Sequence, residues 1–175
     1  NISSTNLYNA DVISIAQEAG KTCVQVFFYR SKQNWGNQSY FPYHDKFHTT
    51  EEILASFITQ FYENKNVPTE IILNKKINDL NLIKSALEKK EEKSISIKIP
   101  TKGSALKLSK IAEKNAKETL TRKIFESETN NKLLNEIADK FKLDITPRII
   151  EVYDNSHIQG TNSVGALITF GSEGF

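Results

Sequence analysis

The chain has 175 residues, with 23 basic and 21 acidic side chains and a single cysteine. One cysteine excludes an internal disulfide framework and a cysteine-rich zinc site, and no apolar run approaches the roughly 18 residues of a membrane-spanning helix. A chain of this length buries around 70% of its unfolded surface without a covalent staple, and with no signal-peptide pattern at its start it reads as soluble and cytoplasmic.

The first elements are strands. "DVISIAQEAG" and "KTCVQVFFYR" are β-rich runs separated by Gly20 and Lys21, a hairpin signal, and Cys23 within the second is expected in the core. "SKQNWGN" reads as a polar turn and "QSYFP" as a third short strand stopped by Pro42, so a three-stranded meander is predicted over residues 10–42. Next comes "TTEEILASFITQFYENK". Thr49 or Thr50 can cap it, Glu51 and Glu52 suit the positive end of a helix dipole, and Ile53, Leu54, Phe57, Ile58, Phe61 and Tyr62 form one wide apolar face.

After Pro68, "TEIILN" predicts a short buried strand. "NDLNLIKSALEKKEE" predicts a helix capped by Asn78 or Asp79, and "SISIKIP" predicts a strand ending at Pro100. A helix is expected from near Gly103 through Ile124 and a second from near Thr129 through Phe141. Pro147 in "KLDITPR" forces extended backbone before it and marks a boundary. Two strands, 149–154 and 163–170, follow with "NSHIQGTN" between them. This order places a first domain at residues 1–142, a linker at 143–148, and the start of a second domain at 149–175. Three antiparallel strands leading into alternating strands and helices give an α/β fold, a mixed sheet with packed helices laid out like an RNase H-like fold. The absence of methionine and the ending just after a strand that needs further partners are expected of an excised piece.

The net charge of +2 is unevenly placed. Residues 75–110 carry 10 basic and 4 acidic side chains, against 5 and 7 in residues 1–74 and 8 and 10 in residues 111–175. Such a cluster can follow a phosphate backbone or form a solvated surface. Lys98, Lys102, Lys107 and Lys110 flank a helix N-terminus at Gly103 and Ser104, where backbone N–H groups favour phosphate, and these four are the candidate DNA contacts.

"RIIEVYDNSH" runs strand-forming residues into Asp154, Asn155, Ser156 and His157. That pattern suits either a turn or a metal-binding carboxylate presented at the end of a core strand. His44 and His48 around Asp45 could hold zinc only with further ligands that the loop does not offer. Trp35, Gly36 and Tyr40 suit a turn with a packed aromatic, or a ring on which a base or partner could stack. Asp11 opens the first strand and reads as a strand-start or capping residue. Asn74 ends the fourth strand with an uncharged amide, so the first domain lacks two converging carboxylates for two-metal chemistry. A sugar kinase or ATPase of related fold would need glycine-rich phosphate loops that Gly160 and Gly165 alone do not supply.

Several segments together resemble the family of UvrC, a component of the bacterial UvrABC excision nuclease. They are "FFYRSKQNWGNQSYFP", "EEILASFITQFY", "EIILN", "IPTKGSALKLSKIAEKNAKETL" and "PRIIEVYDNSHIQGTNSVGALITF", and they cover the chain from about residue 10. The resemblance implies a central RNase H-like region without catalytic function, followed by the opening of a C-terminal RNase H-like endonuclease domain. It places Asp154 at the family's first catalytic aspartate, a ligand for Mg2+ or Mn2+, and separates His157 from the family's catalytic histidine. It implies UvrB and damaged double-stranded DNA as partners, no membrane, and incision of DNA on both sides of a lesion. The remaining catalytic residues are expected beyond Phe175, so these 175 residues are expected to be inactive alone, or to act as a non-catalytic DNA- or protein-binding module.

Overall fold

The computed structural model describes residues 7–158 and 161–175, and the side chains of all of these except 156–163. In chain order the elements are β1 (Asn9–Glu18), β2 (Lys21–Arg30), β3 (Gln33–Tyr40), α1 (Thr50–Phe61), β4 (Glu70–Leu73), α2 (Leu80–Glu91), β5 (Ser96–Lys98), α3 (Gly103–Phe141), β6 (Ile149–Ile158) and β7 (Thr161–Gly171). The chain divides into two compact units, Asn1–Thr121 and Arg122–Phe175. That division falls inside α3, whereas residues 143–148, where the sequence puts the linker, carry neither helix nor strand.

In the first unit five strands form one mixed sheet in the order β3-β2-β1-β4-β5. β1, β2 and β3 are antiparallel neighbours, while β4 joins β1 in parallel and β5 joins β4 in parallel. The two-residue period of the strands sorts their side chains between two cores. Ile13 and Ile15, Val24 and Val26, and Ile71 and Leu73 meet Leu54, Phe57, Ile58 and Phe61 of α1. Ala10, Val12, Phe27, Tyr29 and Ile72 face the other way and meet Leu108 and Ala112 at the start of α3. The sheet is therefore covered on both faces, which is why its central strands read as almost continuous apolar runs. The Cys23 thiol is buried as expected.

α1 begins as its sequence predicts. Thr49 accepts from the Glu52 backbone N–H and the Glu52 carboxylate accepts from the Thr49 backbone N–H, a reciprocal capping box.

Four elements differ from the sequence reading. β3 starts at Gln33, so most of the "SKQNWGN" segment is strand rather than turn. The connection is only Ser31 and Lys32, both at positive φ (51° and 63°), the backbone of a primed hairpin turn that Asn-Gly usually announces. α3 is one helix of 39 residues and not two. Thr129 returns its hydroxyl to the Phe125 carbonyl at 3.0 Å, and Asn130 donates to the Ser172 carbonyl at 3.3 Å, so the polar stretch read as a break stays helical. Asp79 stands at the N-cap of α2 with φ of 53° and makes no side-chain capping bond. In the second unit β6 continues through Ile158, so Asp154 does not end its strand.

Candidate functional site

β6 and β7 pair antiparallel, and the register sets Asp154 opposite Ala166. Alternation then places Asp154 on one face of the ribbon with Ile150, Val152, Ile168 and Phe170. Glu151, Tyr153 and Asn155 lie on the other face, with the Tyr153 phenol donating to Glu151 at 3.0 Å. Asp154 is exposed, as are Val152 and Ile168 beside it. Asp154 stands within a strand that continues to Ile158, so it is a mid-strand carboxylate and not a turn residue. The side chains of Ser156 and His157, and Gly160 entirely, lie outside the described residues.

A divalent ion held by carboxylates needs several converging oxygens. Among the described residues no group of three or more His, Cys, Asp or Glu side chains is arranged to hold a metal. Asp154 supplies one carboxylate and its cross-strand neighbour is an alanine, so the described residues do not make a complete site for Mg2+ or Mn2+. His44 and His48 are engaged otherwise. His44 Nε2 lies 2.7 Å from the Thr22 hydroxyl, and His48 Nδ1 accepts from the Asp45 backbone N–H at 3.2 Å.

The first unit presents its parallel strand ends differently. In open α/β sheets ligands enter beyond the carboxyl ends of the strands. There Asn74, just past β4, accepts from the Ile15 N–H at 2.9 Å and donates to the Ile15 carbonyl at 3.0 Å. The amide works as one more backbone unit of β4 and ties it to β1. Ile13 and Ile15, which share the α1 face of β1 with Asp11, are buried and apolar.

Asp11 is no cap. It is fully buried, and both of its oxygens are bonded: Arg30 Nη1 donates to Oδ1 and the Tyr62 hydroxyl donates to Oδ2, each at 2.7 Å. Burial, and then the Asp11 charge, push the Tyr62 phenol well above the usual tyrosine range. The partners stand 19 and 51 residues away in the chain, and only the sheet and α1 bring them together.

The four candidate lysines do not form one cluster of free cations. Lys98, at the end of β5, is ion-paired with Glu70 at the start of β4. Lys102, Lys107 and Lys110 are exposed, and no ion pair joins them to another described residue. Lys107 and Lys110 lie on the solvent side of α3, opposite the buried Leu108 and Ala112. Further along, Lys114 and Lys117 are neutralised by Glu118 and Glu113. The exposed basic stretch is thus the first two turns of α3.

A mixed sheet of order 3-2-1-4-5 with helices on both faces is the RNase H-like class of α/β protein. Residues 9–123 match the UvrC Ribonuclease H-like domain, and the chain belongs to that family. Residues 138–175 match the UvrC RNAse H endonuclease domain. Curated relatives include UvrABC system protein C of Bartonella henselae, 47% identical over 99% of this chain and 26% of the relative, and that of Ruegeria sp., 45% identical over 99% and 27%. UvrABC system protein C of Chelativorans sp. is 44% identical with the same coverage as the Ruegeria protein. The chain spans about a quarter of the length of these relatives. A solved Bacteroides thetaiotaomicron protein with an actin-like ATPase fold overlaps 58% of this chain and 37% of its own at 12% identity and a TM-score of 0.33, too little to argue from.

Proposed function

We propose that this chain is the part of a nucleotide excision repair endonuclease in which a non-catalytic RNase H-like unit leads into the start of a catalytic one, with 143–148 as the linker between them. The observation that carries this reading is Asp154, a carboxylate at mid-strand on the apolar face of β6 within the segment that matches the endonuclease domain. In the longer protein Asp154 would be one ligand of a Mg2+ or Mn2+ site completed by carboxylates from elsewhere. Such an ion activates water and offsets the charge that develops on a phosphodiester. At the strand ends of the first unit the Asn74 amide is bonded to Ile15 and to the Glu113 carboxylate, and no group of three metal-ligating side chains stands there among the described residues, so this unit serves for packing and for contact with DNA. Lys102, Lys107 and Lys110 are the backbone contacts of this reading, with Lys98 available only if it leaves Glu70. The substrate is damaged double-stranded DNA, the partner is UvrB, and the 175 residues alone are inactive.

A chain extended to include the remaining carboxylates should cut a lesion-bearing duplex with Mg2+ or Mn2+, and Asp154→Asn should abolish the cutting. Cleavage that survives the substitution would remove Asp154 from the chemistry. Replacing Lys102 and Lys107 with Ala should weaken binding to all sequences and reduce the salt slope by about one for each phosphate no longer neutralised. An unchanged slope would return these lysines to ordinary surface.

A further inference from the structure

On the α1 side of the first unit, beside the start of β1, side chains enclose a cleft of about 400 Å³. The Asp11 carboxylate and its two partners form one end. Phe28 and Phe61 make an apolar wall, their rings stacked with centroids 6.4 Å apart. Trp35, on the edge strand β3, stands 71% exposed at the mouth. Lys65 and Asn66, just past α1, complete the rim, with Lys65 Nζ 4.8 Å from the Phe61 ring centroid.

The charges decide what this cleft can take. Both Asp11 oxygens are bonded, so the carboxylate is matched by Arg30 and is not open to an incoming cation. Arg30 makes its bonds to the Ala10 carbonyl, Asp11 and the Tyr29 carbonyl through Nη1 alone. Its Nε and Nη2 have no partner among the described residues, and with Lys65 they leave one positive charge in excess over Asp11. An aromatic side chain of a partner would fill the walls and leave the cations without a counter-ion. An acidic peptide would meet the cations and leave the exposed Trp35 indole uncovered. A nucleotide carries a flat π-face and an anion in one unit, and both aromatic stacking and guanidinium–phosphate bonding are strong contacts for it.

We propose that this cleft holds one unpaired nucleotide of a DNA strand, the base against Trp35 and the Phe28–Phe61 wall and the phosphate on Lys65 and Arg30. The nucleotide has to be unpaired because a base inside a duplex hides both of its faces. Its lining does not include Asn74 or the strand ends that Asn74 occupies, and it deepens the DNA-contacting role proposed above, on which it rests.

Trp35 is the sole tryptophan, so intrinsic emission reports on this cleft alone. The 175-residue chain is titrated with an end-labelled oligothymidylate, an abasic oligomer of the same length, and a fully paired duplex, with anisotropy and tryptophan emission read together. Oligothymidylate should quench Trp35 saturably while the abasic oligomer and the duplex bind with little quenching. Trp35→Ala should weaken oligothymidylate binding about tenfold and leave the abasic oligomer unchanged, and Lys65→Gln should weaken both oligomers. Because Trp35 is exposed, its removal leaves the core intact, and a circular dichroism spectrum confirms the fold. Binding by anisotropy without quenching would overturn the cleft while the wider DNA role stands. Equal quenching by the abasic oligomer would overturn the stacked base. No binding of any DNA would overturn the wider role and the cleft together.

Discussion

Asn74 holds Ile15 by both backbone groups, accepting from its N–H at 2.9 Å and donating to its carbonyl at 3.0 Å. At the carboxyl end of β4 the first unit thus has an uncharged amide clasped to β1 and bonded as well to the Glu113 carboxylate. An aspartate there could still accept from the Ile15 N–H, but its second oxygen would face the Ile15 carbonyl. Asn74→Asp should destabilise the fold by about 1–3 kcal/mol at neutral pH through loss of the donor, the opposed oxygens and repulsion from the Glu113 carboxylate that Asn74 now bonds. The deficit should shrink in acid, where a protonated carboxyl donates again. Urea unfolding of the two variants across pH checks this; a stable Asn74→Asp protein that gains stability from Mg2+ would instead reveal a latent metal position.

The buried Asp11 depends on Arg30 and Tyr62. Arg30→Leu would leave an uncompensated carboxylate in the core and should cost about 3–5 kcal/mol. Replacing Asp11 and Arg30 with leucine and Tyr62 with phenylalanine should recover most of that loss, because it removes the charge together with both of its partners. Chemical denaturation of the single and triple variants measures the difference. A single variant as stable as the parent would show that solvent reaches Asp11 freely.

The capping box ties the start of α1 to acidity. Hydrogen bonds from the Thr49 backbone N–H, and secondarily from its hydroxyl, hold the Glu52 carboxyl below its ordinary value of 4.5. A carboxylate lowered by folding contributes stability above its unfolded pKa and loses it as pH falls through the folded one. Glu52→Ala should therefore lower Tm at neutral pH and make little difference well below pH 4.5. Thr49→Ala should cost about 1 kcal/mol at neutral pH. Melting curves at neutral and acidic pH test both, and a constant Glu52→Ala deficit across that range would rule out the charged cap.

Cys23 is buried on β2, and loss of solvent pushes its thiol up to about 11, only partly offset by a bond with Ser39. In the folded chain it should resist alkylation at mildly alkaline pH, because the nucleophile is the thiolate and little of it forms. Labelling should begin with unfolding in denaturant, so its rate reports on opening of the sheet. Rapid stoichiometric labelling in native buffer would contradict the burial of β2.

What the residue pattern determined by itself was local. The apolar face of α1, its capping by one of the two threonines before it, the strict alternation of β5, the buried strand β4 and the element order of an RNase H-like sheet all arise from neighbours within a few positions, and period and capping chemistry are written in such windows. Asp154 could be singled out because a carboxylate breaks an otherwise apolar strand run. Only the tertiary structure decided the rest. β3 begins after Ser31 and Lys32, which take positive φ without the glycine or asparagine that would signal it. α3 passes through Thr129 and Asn130, weak helix formers, with Asn130 bonded to the carbonyl of Ser172 far along the chain. Asp11 looked like a strand start because nothing near it in sequence reveals Tyr62, 51 residues on. A buried charge takes its meaning from groups that meet it only once the sheet and helix have packed, and that information is spread over the whole unit rather than held in any one segment.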